Sequence, residues 1–312
     1  MSQQNYAFRN EIDAFFPPMV FAEITNVCNL MCVHCPHSQI VKQKSYKPRH
    51  MDFSVFESII NEIVRHKGGI LRLVCDGEPM MHPHFFEMLE YAKKEGISPL
   101  CVNTNGTLLN KAASEELLRI GVDIVEVSLD AFSKEKYEQI RIGAVYEDVM
   151  ANVMNFIYLR NRTNSRTKIM VSIIDQPKAK DEINAFEEFW KTRSDRVIKR
   201  AFTSIGGLIE AGEVSPGKAK ERWPCPLLWT RIFINVDGLI KFCVEDWLDK
   251  TILFDLKNVS IASAWTSAQY KDLRSKHLSR DFDAVDYCKG CLDWPAREWR
   301  FDYFHALNEV IK

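Results

Sequence analysis

Three closely spaced cysteines are the residues of this chain with the clearest potential for chemistry. Cys28, Cys32 and Cys35 are separated by three and by two residues, and they directly follow the apolar, strand-like run 19–24. A loop this short can bring three thiolates to one inorganic centre without long-range folding. A cubane iron–sulfur cluster and a closed structural zinc site each need four ligands. The spacing therefore predicts a cluster with one iron left open for a ligand that the protein does not supply.

Four further cysteines form a second set, namely Cys225, Cys243, Cys288 and Cys291. The turn signal Asp237-Gly238 predicts a β-hairpin over about 230–243, which would bring the first two of these thiols near each other. The last two form a Cys-x-x-Cys pair and complete four thiolates. Four thiolates are enough to close one iron–sulfur cluster, and they suit a zinc ion equally well.

Composition and charge exclude several classes of protein. The chain has 312 residues, of which 46% are hydrophobic and 27% charged, as in ordinary globular proteins. Its net charge of −1 provides no field that would attract nucleic acid or an anionic membrane. Without a long apolar run or a signal peptide, the sequence predicts a cytoplasmic protein with no membrane or nucleic-acid partner. In that compartment, nine cysteines indicate metal ligands rather than disulfides.

Strand-like and helix-like segments alternate through the first two thirds of the chain. Strands are predicted near 19–25, 70–75, 98–104, 122–129, 168–175 and 196–203. Helices are predicted near 52–67, 83–95, 110–120, 133–160 and 180–193. These alternations predict an α/β fold, a barrel or partial barrel with helices outside a parallel sheet. After a turn-rich segment, a hairpin, a helix near 260–277 and a cysteine-bearing tail indicate a second, smaller domain.

Several polar residues follow the predicted strands, at the end where barrel active sites lie. They are Gly77, Glu78 and Pro79 after the second strand, Asn105 after the third, Ser128 and Asp130 after the fourth, and Asp175 after the fifth. Arg141 lies further along, and its planar guanidinium can donate two parallel hydrogen bonds to a carboxylate. The residues alone also allow ordinary turns, a buried hydroxyl at Ser128 and a solvated helix residue at Arg141.

The Cys-x-x-x-Cys-x-x-Cys loop, with His34 before its last cysteine, resembles the signature of the radical SAM superfamily. The Gly77-Glu78-Pro79 turn resembles that family's Gly-Glu-Pro motif, with Asp76 where a further Gly is usual. The resemblance implies a partial (β/α)6 TIM-like barrel and a [4Fe–4S] cluster. It also implies that S-adenosylmethionine chelates the open iron and is cleaved to a 5′-deoxyadenosyl radical.

The same resemblance implies which residues contact that cofactor. The Gly-Glu-Pro turn holds the methionyl amino group, Ser128 and Arg141 bind its carboxylate and ribose, and His34 packs near the adenine. Asp175 is placed to reach the ribose or the substrate. The predicted cofactor-binding residues are His34, Gly77, Glu78, Pro79, Asn105, Ser128, Asp130, Arg141 and Asp175.

The second cysteine set resembles the SPASM/twitch extension of radical SAM enzymes, and Trp265, Tyr270 and Arg274 match the helix typical of that extension. With four cysteines, the segment resembles the shorter, one-cluster twitch type, to which 2-deoxy-scyllo-inosamine dehydrogenases belong. The resemblance implies an auxiliary [4Fe–4S] cluster, with zinc as the alternative. The predicted segments are an N-terminal helix 1–16, a barrel 17–203, a linker 204–223, a SPASM/twitch domain 224–295 and a C-terminal helix 296–312.

The resemblance implies an oxidoreductase that takes a hydrogen atom from a small polar substrate, a sugar or aminocyclitol alcohol. The auxiliary cluster would complete a two-electron oxidation, and a flavodoxin or ferredoxin would donate electrons. The basic loop containing Lys47 and Arg49 could cover a phosphorylated or nucleotide-linked substrate. The predicted catalytic residues are Glu245 and Asp246, beside the auxiliary cluster, and Cys75 as a hydrogen donor.

Several alternatives remain open at this point. An epimerase would use Cys75 to return a hydrogen atom, although Cys75 and Cys101 also suit plain core packing. A peptide maturase shares the same fold. A non-catalytic zinc- or cluster-binding module is the alternative from a different class.

Overall fold

A computed structural model describes residues 15–74, 76–210, 221–297 and 303–311 of the chain. Cys75, the predicted hydrogen donor, lies outside the described residues. So do nearly all of the predicted N-terminal helix and the middle of the predicted linker.

The described strands form a single sheet in the order β6-β5-β4-β3-β2-β1-β7-β8-β9. The strands are β1 (Met19–Ala22), β2 (Ile70–Leu73), β3 (Leu100–Thr104), β4 (Ile124–Ser128), β5 (Lys168–Asp175), β6 (Arg196–Ala201), β7 (Ile232–Ile234), β8 (Leu239–Lys241) and β9 (Ile252–Asp255). Neighbours among the first six strands pair in parallel. This six-stranded partial barrel confirms the predicted fold class, and all six strands lie where the sequence predicts them.

Helices connect these strands. The helices are α1 (His37–Ile40), α2 (Phe53–Arg65), α3 (Phe85–Lys94), α4 (Lys111–Ile120), α5 (Lys134–Ile140), α6 (Tyr146–Arg162), α7 (Ile183–Trp190), α8 (Leu227–Thr230), α9 (Ile261–Trp265), α10 (Ala268–Leu278), α11 (Asp286–Lys289) and α12 (Tyr303–Ile311). None of the described helices has the length and apolar character that a membrane span requires.

Period-2 alternation in β1 explains how the sheet can bury both of its faces. Met19 and Phe21 belong to a small apolar cluster that also draws residues from β2, β3, β4, β5 and β7, which identifies it as the inner core of the barrel. Val20 and Ala22 belong instead to the large core under the helices. Successive side chains of a strand point to opposite faces, so the next inner position after Phe21 is that of Glu23.

The outer helices have the sequence features of surface helices. Buried residues of α2 recur at the spacing of one helical face, with Phe56, Ile59, Ile60 and Ile63 all inside. Asn110 caps the N-terminus of α4, because its side chain accepts a hydrogen bond from the amide of Ala113. Helix α2 connects β1 to β2, and helix α4 connects β3 to β4.

Three local predictions differ from the structure. The predicted helix 133–160 is divided into α5 and α6, because the chain turns through Arg141 and through Gly143 at a φ of +100°. The predicted helix 260–277 is divided at Ser267, whose side chain caps α10. Strand β9 was not predicted, and neither was the parallel pairing of β7 with β1, which makes the C-terminal hairpin a continuation of the barrel sheet.

Candidate active site and metal centres

The cysteine loop after β1 places three thiols in a region largely shielded from water. Cys32 is buried, while Cys28 and Cys35 are half-buried. Burial raises the pKa of Cys28 to about 11 and also raises the pKa values of Cys32 and Cys35, and neighbouring thiols add to the shifts of Cys28 and Cys35. Buried thiols that raise one another's pKa are suited to binding a cation, because metal ligation stabilises their thiolates.

Gly77 lets the backbone of the cysteine loop approach the end of β2. A Cβ atom at this position would lie 2.3 Å from the carbonyl oxygen of Val27 and 2.6 Å from its nitrogen. The amide of Glu78 donates to the same carbonyl at 2.8 Å. Gly77 therefore has a structural role at the base of the cluster loop, and a side chain there would displace the loop.

Glu78 is almost completely buried and joins its own turn to the end of β3. Its carboxylate accepts hydrogen bonds from the Thr104 hydroxyl at 2.7 Å, the Asn105 amide at 2.7 Å and the Met80 amide at 3.3 Å. Burial raises the pKa of Glu78, although these hydrogen bonds oppose the shift. Pro79 begins the short 3-10 turn that follows. The Gly-Glu-Pro turn and the end of β3 are thus a single hydrogen-bonded unit.

Asp130 brings together two residues that the sequence analysis assigned to cofactor binding. One of its carboxylate oxygens forms a short ion pair with Arg141 and lies 3.3 Å from Nε2 of His34. The other oxygen accepts a hydrogen bond from the amide of Ile174 at 3.0 Å. Burial lowers the pKa of His34 to about 4, with Asp130 opposing the shift, so the imidazole is neutral at physiological pH.

Unsatisfied polar atoms next to this ion pair fit a polar ligand. Among the described residues, Nε of Arg141, Nδ1 of His34 and the hydroxyl of Tyr137 are buried and have no hydrogen-bond partner. Buried polar atoms normally have partners, so such atoms indicate a ligand. The groups present fit the carboxylate and the purine that S-adenosylmethionine would place beside the three thiols.

The remaining predicted cofactor residues lie at the same end of the sheet. Asn105 donates to the side chain of Asn29 at 2.9 Å and so ties the turn after β3 to the cysteine loop. Ser128 and Ser172 face each other across β4 and β5, with hydroxyl oxygens 3.4 Å apart. Asp175 is the half-buried last residue of β5. The direct contacts of Asn105 are thus with the protein, and its contact with a cofactor stays a prediction.

The second cysteine set converges on one cavity of about 390 Å³ in the C-terminal region. Burial raises the pKa of Cys225 to about 11 and that of Cys288 to about 12. The pKa of Cys243 is raised well above its usual value, by burial first and then by the other three thiols. The amide of Cys225 donates to Nδ1 of the buried His277 at 3.2 Å. The structure thus assembles the four-thiol set that the sequence predicts.

The two carboxylates predicted to be catalytic already have protein partners. Glu245 forms a short ion pair with Arg297 near the second cysteine set. Asp246 is buried, and its carboxylate accepts hydrogen bonds from the amides of Thr251 at 2.5 Å and Leu248 at 3.2 Å. The contacts of Asp246 are those of a residue that holds a loop. A catalytic role for either residue stays a prediction, and the structure provides the competing explanation for each.

Sequence reasoning assigned no role to a group of charges between the two cysteine sets. Glu23, Asp76 and Asp249 line a cavity at the C-terminal ends of β1, β2 and β7, and the buried Lys241 interacts with all three. Two signals were present in the sequence. Glu23 continues the inner-face alternation of Met19 and Phe21, and Asp76 stands where the resembled family has a Gly.

Family comparisons agree with the two centres. Residues 22–171 match the model of the radical SAM superfamily, and residues 225–292 match that of an iron–sulfur cluster-binding domain, SPASM. A probable GTP 3′,8-cyclase from Methanococcus maripaludis strain C7 is 32% identical over 254 residues, which cover 71% of this chain and 83% of that protein. A tungsten-containing aldehyde ferredoxin oxidoreductase cofactor-modifying protein from Pyrococcus furiosus is 34% identical over 118 residues, and the match spans 36% of this chain and 30% of that protein.

Solved structures share the fold at low sequence identity. BtrN in complex with AdoMet and 2-DOIA superposes with a TM-score of 0.58 at 16% identity, covering 88% of this chain and 92% of BtrN. Streptococcus suis SuiB bound to the precursor peptide SuiA gives a TM-score of 0.69 at 13% identity, covering 86% of this chain and 69% of SuiB. The relatives and the structures differ in what they act on. The specific likeness to 2-deoxy-scyllo-inosamine dehydrogenases is therefore not established.

Proposed function

This chain belongs to the radical SAM superfamily and has S-adenosylmethionine and two iron–sulfur clusters as its cofactors, and we propose that it oxidises an alcohol carbon of a small polar substrate. The substrate class is a sugar or an aminocyclitol. The bound cofactors supply a radical that removes a hydrogen atom, and an acceptor for one electron. The substrate thus loses a hydrogen atom, an electron and the hydroxyl proton, and its alcohol becomes a ketone.

The observation that carries this proposal is the convergence of four thiols at the second centre, enough to ligate a cluster fully. All four of its thiols line the same cavity, and electrostatic interactions link Cys243 to each of the other three. Four thiolates complete a cubane. A cluster with no open iron is suited to accept an electron rather than to bind a substrate, which supports oxidation over redox-neutral chemistry.

In this proposal, Arg141 and His34 hold S-adenosylmethionine over the first centre. The guanidinium of Arg141 stays charged, because Asp130, Cys32 and Tyr137 together outweigh the lowering effect of burial and raise its pKa. Its unpartnered Nε remains available to a carboxylate. Burial of these groups keeps water out, which protects a reactive intermediate from side reactions.

The proposal is tested by anaerobic iron and sulfide analysis together with measurement of 5′-deoxyadenosine. Wild type should hold about eight irons, and the Cys28/Cys32/Cys35→Ala variant about four, with loss of dithionite-driven cleavage. A sugar or cyclitol turned over by wild type should yield a product lighter by two hydrogen atoms. About four irons plus one zinc in wild type would instead favour the epimerase alternative, since zinc accepts no electron.

A second candidate is the rearrangement of a purine nucleotide. Identity of 32% to a probable GTP 3′,8-cyclase, over 83% of that protein, favours it. Lys47 and Arg49 of the basic loop line the cavity at the barrel mouth and would face the phosphates. Titration of the reconstituted protein with GTP distinguishes the candidates, because the oxidation of a cyclitol requires no affinity for GTP.

A further inference from the structure

A cavity of about 240 Å³ lies where the barrel, the cluster loop and the C-terminal region meet. Its walls come from the ends of β1, β2 and β7, which contribute Glu23, Asp76 and Asn235. The cluster loop contributes Asn26 and His37, and the C-terminal region contributes the segment 247–249. A substrate in this cavity would thus lie beside the first cysteine set and below the domain that carries the second.

Glu23 is the first indication that the cavity holds a ligand. Its side chain lines the cavity, yet the residue is only 3% exposed. Among the described residues, no hydrogen bond to its carboxylate is formed, and only its backbone amide donates, to Ile234 at 2.9 Å. Buried carboxylates in proteins are normally hydrogen-bonded or paired. A buried carboxylate without a donor at the wall of a cavity indicates that the donor comes from a bound molecule.

Asp76 faces the same cavity and is close enough to Glu23 to disfavour its ionisation. No described residue donates a hydrogen bond to the side chain of Asp76 either. Burial raises the pKa of Asp76 to about 7, and burial together with Asp76 raises the pKa of Glu23 well above its usual value. The ligand-free protein thus holds two under-compensated carboxylates, and a positive charge placed between them would stabilise both.

Lys241 is the only buried ammonium that interacts with this pair among the described residues, and other groups engage it. Its Nζ donates to the backbone carbonyl of Asp246 at 2.6 Å and lies 3.2 Å from the carboxylate of Asp249. Arg49, at the rim of the cavity, forms a short ion pair with Asp237. One lysine therefore interacts with four carboxylates, those of Glu23, Asp76, Asp249 and Asp246. The excess of negative charge is thus at the buried wall of the cavity, whereas Lys47 and Arg49 lie at its exposed rim.

The ligand that would balance this charge is organic rather than metallic. In the described part of the chain, the carboxylates of this cavity do not form a group of three that could hold a metal ion. An ammonium group can donate up to three hydrogen bonds in different directions. It therefore suits two carboxylates that belong to different strands and lack donors.

We propose that this cavity is the substrate site and that Glu23 and Asp76 bind a protonated amine of the substrate. The inference rests on the proposed function and narrows its substrate class from sugars and aminocyclitols to amine-bearing substrates. The two carboxylates are specificity-determining residues, and they orient the ring so that a carbon faces the cysteine loop.

Binding of two matched probes to the reconstituted, S-adenosylmethionine-loaded protein tests the inference. The probes are scyllo-inosamine and scyllo-inositol, which differ only in an amine that replaces one hydroxyl. Anaerobic calorimetry would be run on wild type, Glu23→Gln, Asp76→Asn and, as a control, Glu87→Gln on the exposed surface of α3. The substitutions at Glu23 and Asp76 keep size and remove charge. Iron content and the 5′-deoxyadenosine formed without substrate would be measured in the same samples.

The amine should bind wild type and the Glu87→Gln variant at least about tenfold more tightly than the cyclitol, and each cavity variant should weaken amine binding about 30-fold or more. Iron content should stay at the wild-type level in all variants, and unproductive 5′-deoxyadenosine formation should stay at the wild-type level in the Glu87→Gln control. Equal affinity for both probes, no binding of the amine, or unchanged amine binding in both cavity variants overturns the inference. A wild type that holds its clusters but never cleaves S-adenosylmethionine contradicts the proposed function instead.

Discussion

Nε2 of His34 lies 3.3 Å from the carboxylate of Asp130, which also pairs with Arg141. His34 comes from the cysteine loop and Asp130 from the end of β4, where the chain adopts a left-handed φ of +65°. Asp and Asn tolerate that conformation better than most residues. The contact therefore attaches the loop of the first centre to the barrel wall beside the buried guanidinium of Arg141.

Replacing Arg141 with Lys should weaken binding of S-adenosylmethionine about ten- to a hundredfold, because a lysine keeps the charge but loses the planar fork. Equilibrium dialysis of the reconstituted protein measures the affinity. Iron content should remain at the wild-type level, since no cysteine is replaced. Wild-type affinity in this variant would remove Arg141 from the cofactor site.

Replacing Gly77 with Ala should prevent assembly of the first cluster, because the added methyl would lie 2.3 Å from the backbone of Val27. We expect iron content to fall by about four per chain, with loss of 5′-deoxyadenosine formation. The matched control is Gly68→Ala, whose Cβ would meet its nearest atom at 3.7 Å, an ordinary contact. Full iron content in Gly77→Ala would show that the loop can move away at little cost.

Replacing Cys243 with Ala should remove the auxiliary cluster and leave the first one intact. About four irons should remain, and 5′-deoxyadenosine should still form, whereas the two-electron product should disappear. Product analysis by mass spectrometry, alongside iron analysis, measures both effects. Continued formation of the ketone in a four-iron protein would rule out the auxiliary cluster as the electron acceptor.

Replacing Asp76 with Asn should stabilise the ligand-free protein, and the gain should grow with pH. The folded-state pKa of Asp76, about 7, lies above its ordinary value of 3.8. The folded state therefore binds the proton more tightly, and stability is lost as pH rises through this window. Between about pH 6 and pH 8, the advantage of the variant should increase by on the order of 1 kcal/mol.

Denaturant unfolding of both proteins across that pH range checks the prediction. Glu188→Gln serves as the control, because its carboxylate is exposed on α7 and does not line the cavity. An advantage that shrinks as pH rises would mean that Asp76 is ionised and well compensated in the folded state.

The sequence was sufficient to predict the parts that depend on local spacing. Cysteine spacing located both thiol sets, and the alternation of apolar segments located six strands. Both features depend only on residues that are close in sequence. Family resemblance assigned His34, Asp130 and Arg141 to the same cofactor, but the contacts among their side chains were not predicted.

Relationships between distant segments could not be predicted in this way. The pairing of β7 with β1 depends on which edge strand of the partial barrel is left unpaired. That is a property of the assembled sheet rather than of either strand. The place of Glu23 in a cavity depends on Asp76 and Lys241, which come from other parts of the chain. Glu245 was chosen for its position near Cys243, and its ion pair with Arg297 was invisible in the sequence.

The parallel pairing of Val20 with Ile232 has a consequence for how the protein is made. One edge of β1 stays unpaired until β7 has been synthesised, because a parallel pair this far apart in sequence forms late. During that interval an apolar strand edge and three free thiols are exposed together. Early metal loading or a chaperone that covers this edge would therefore raise the yield of intact protein, and expression of the barrel alone would leave the edge permanently open.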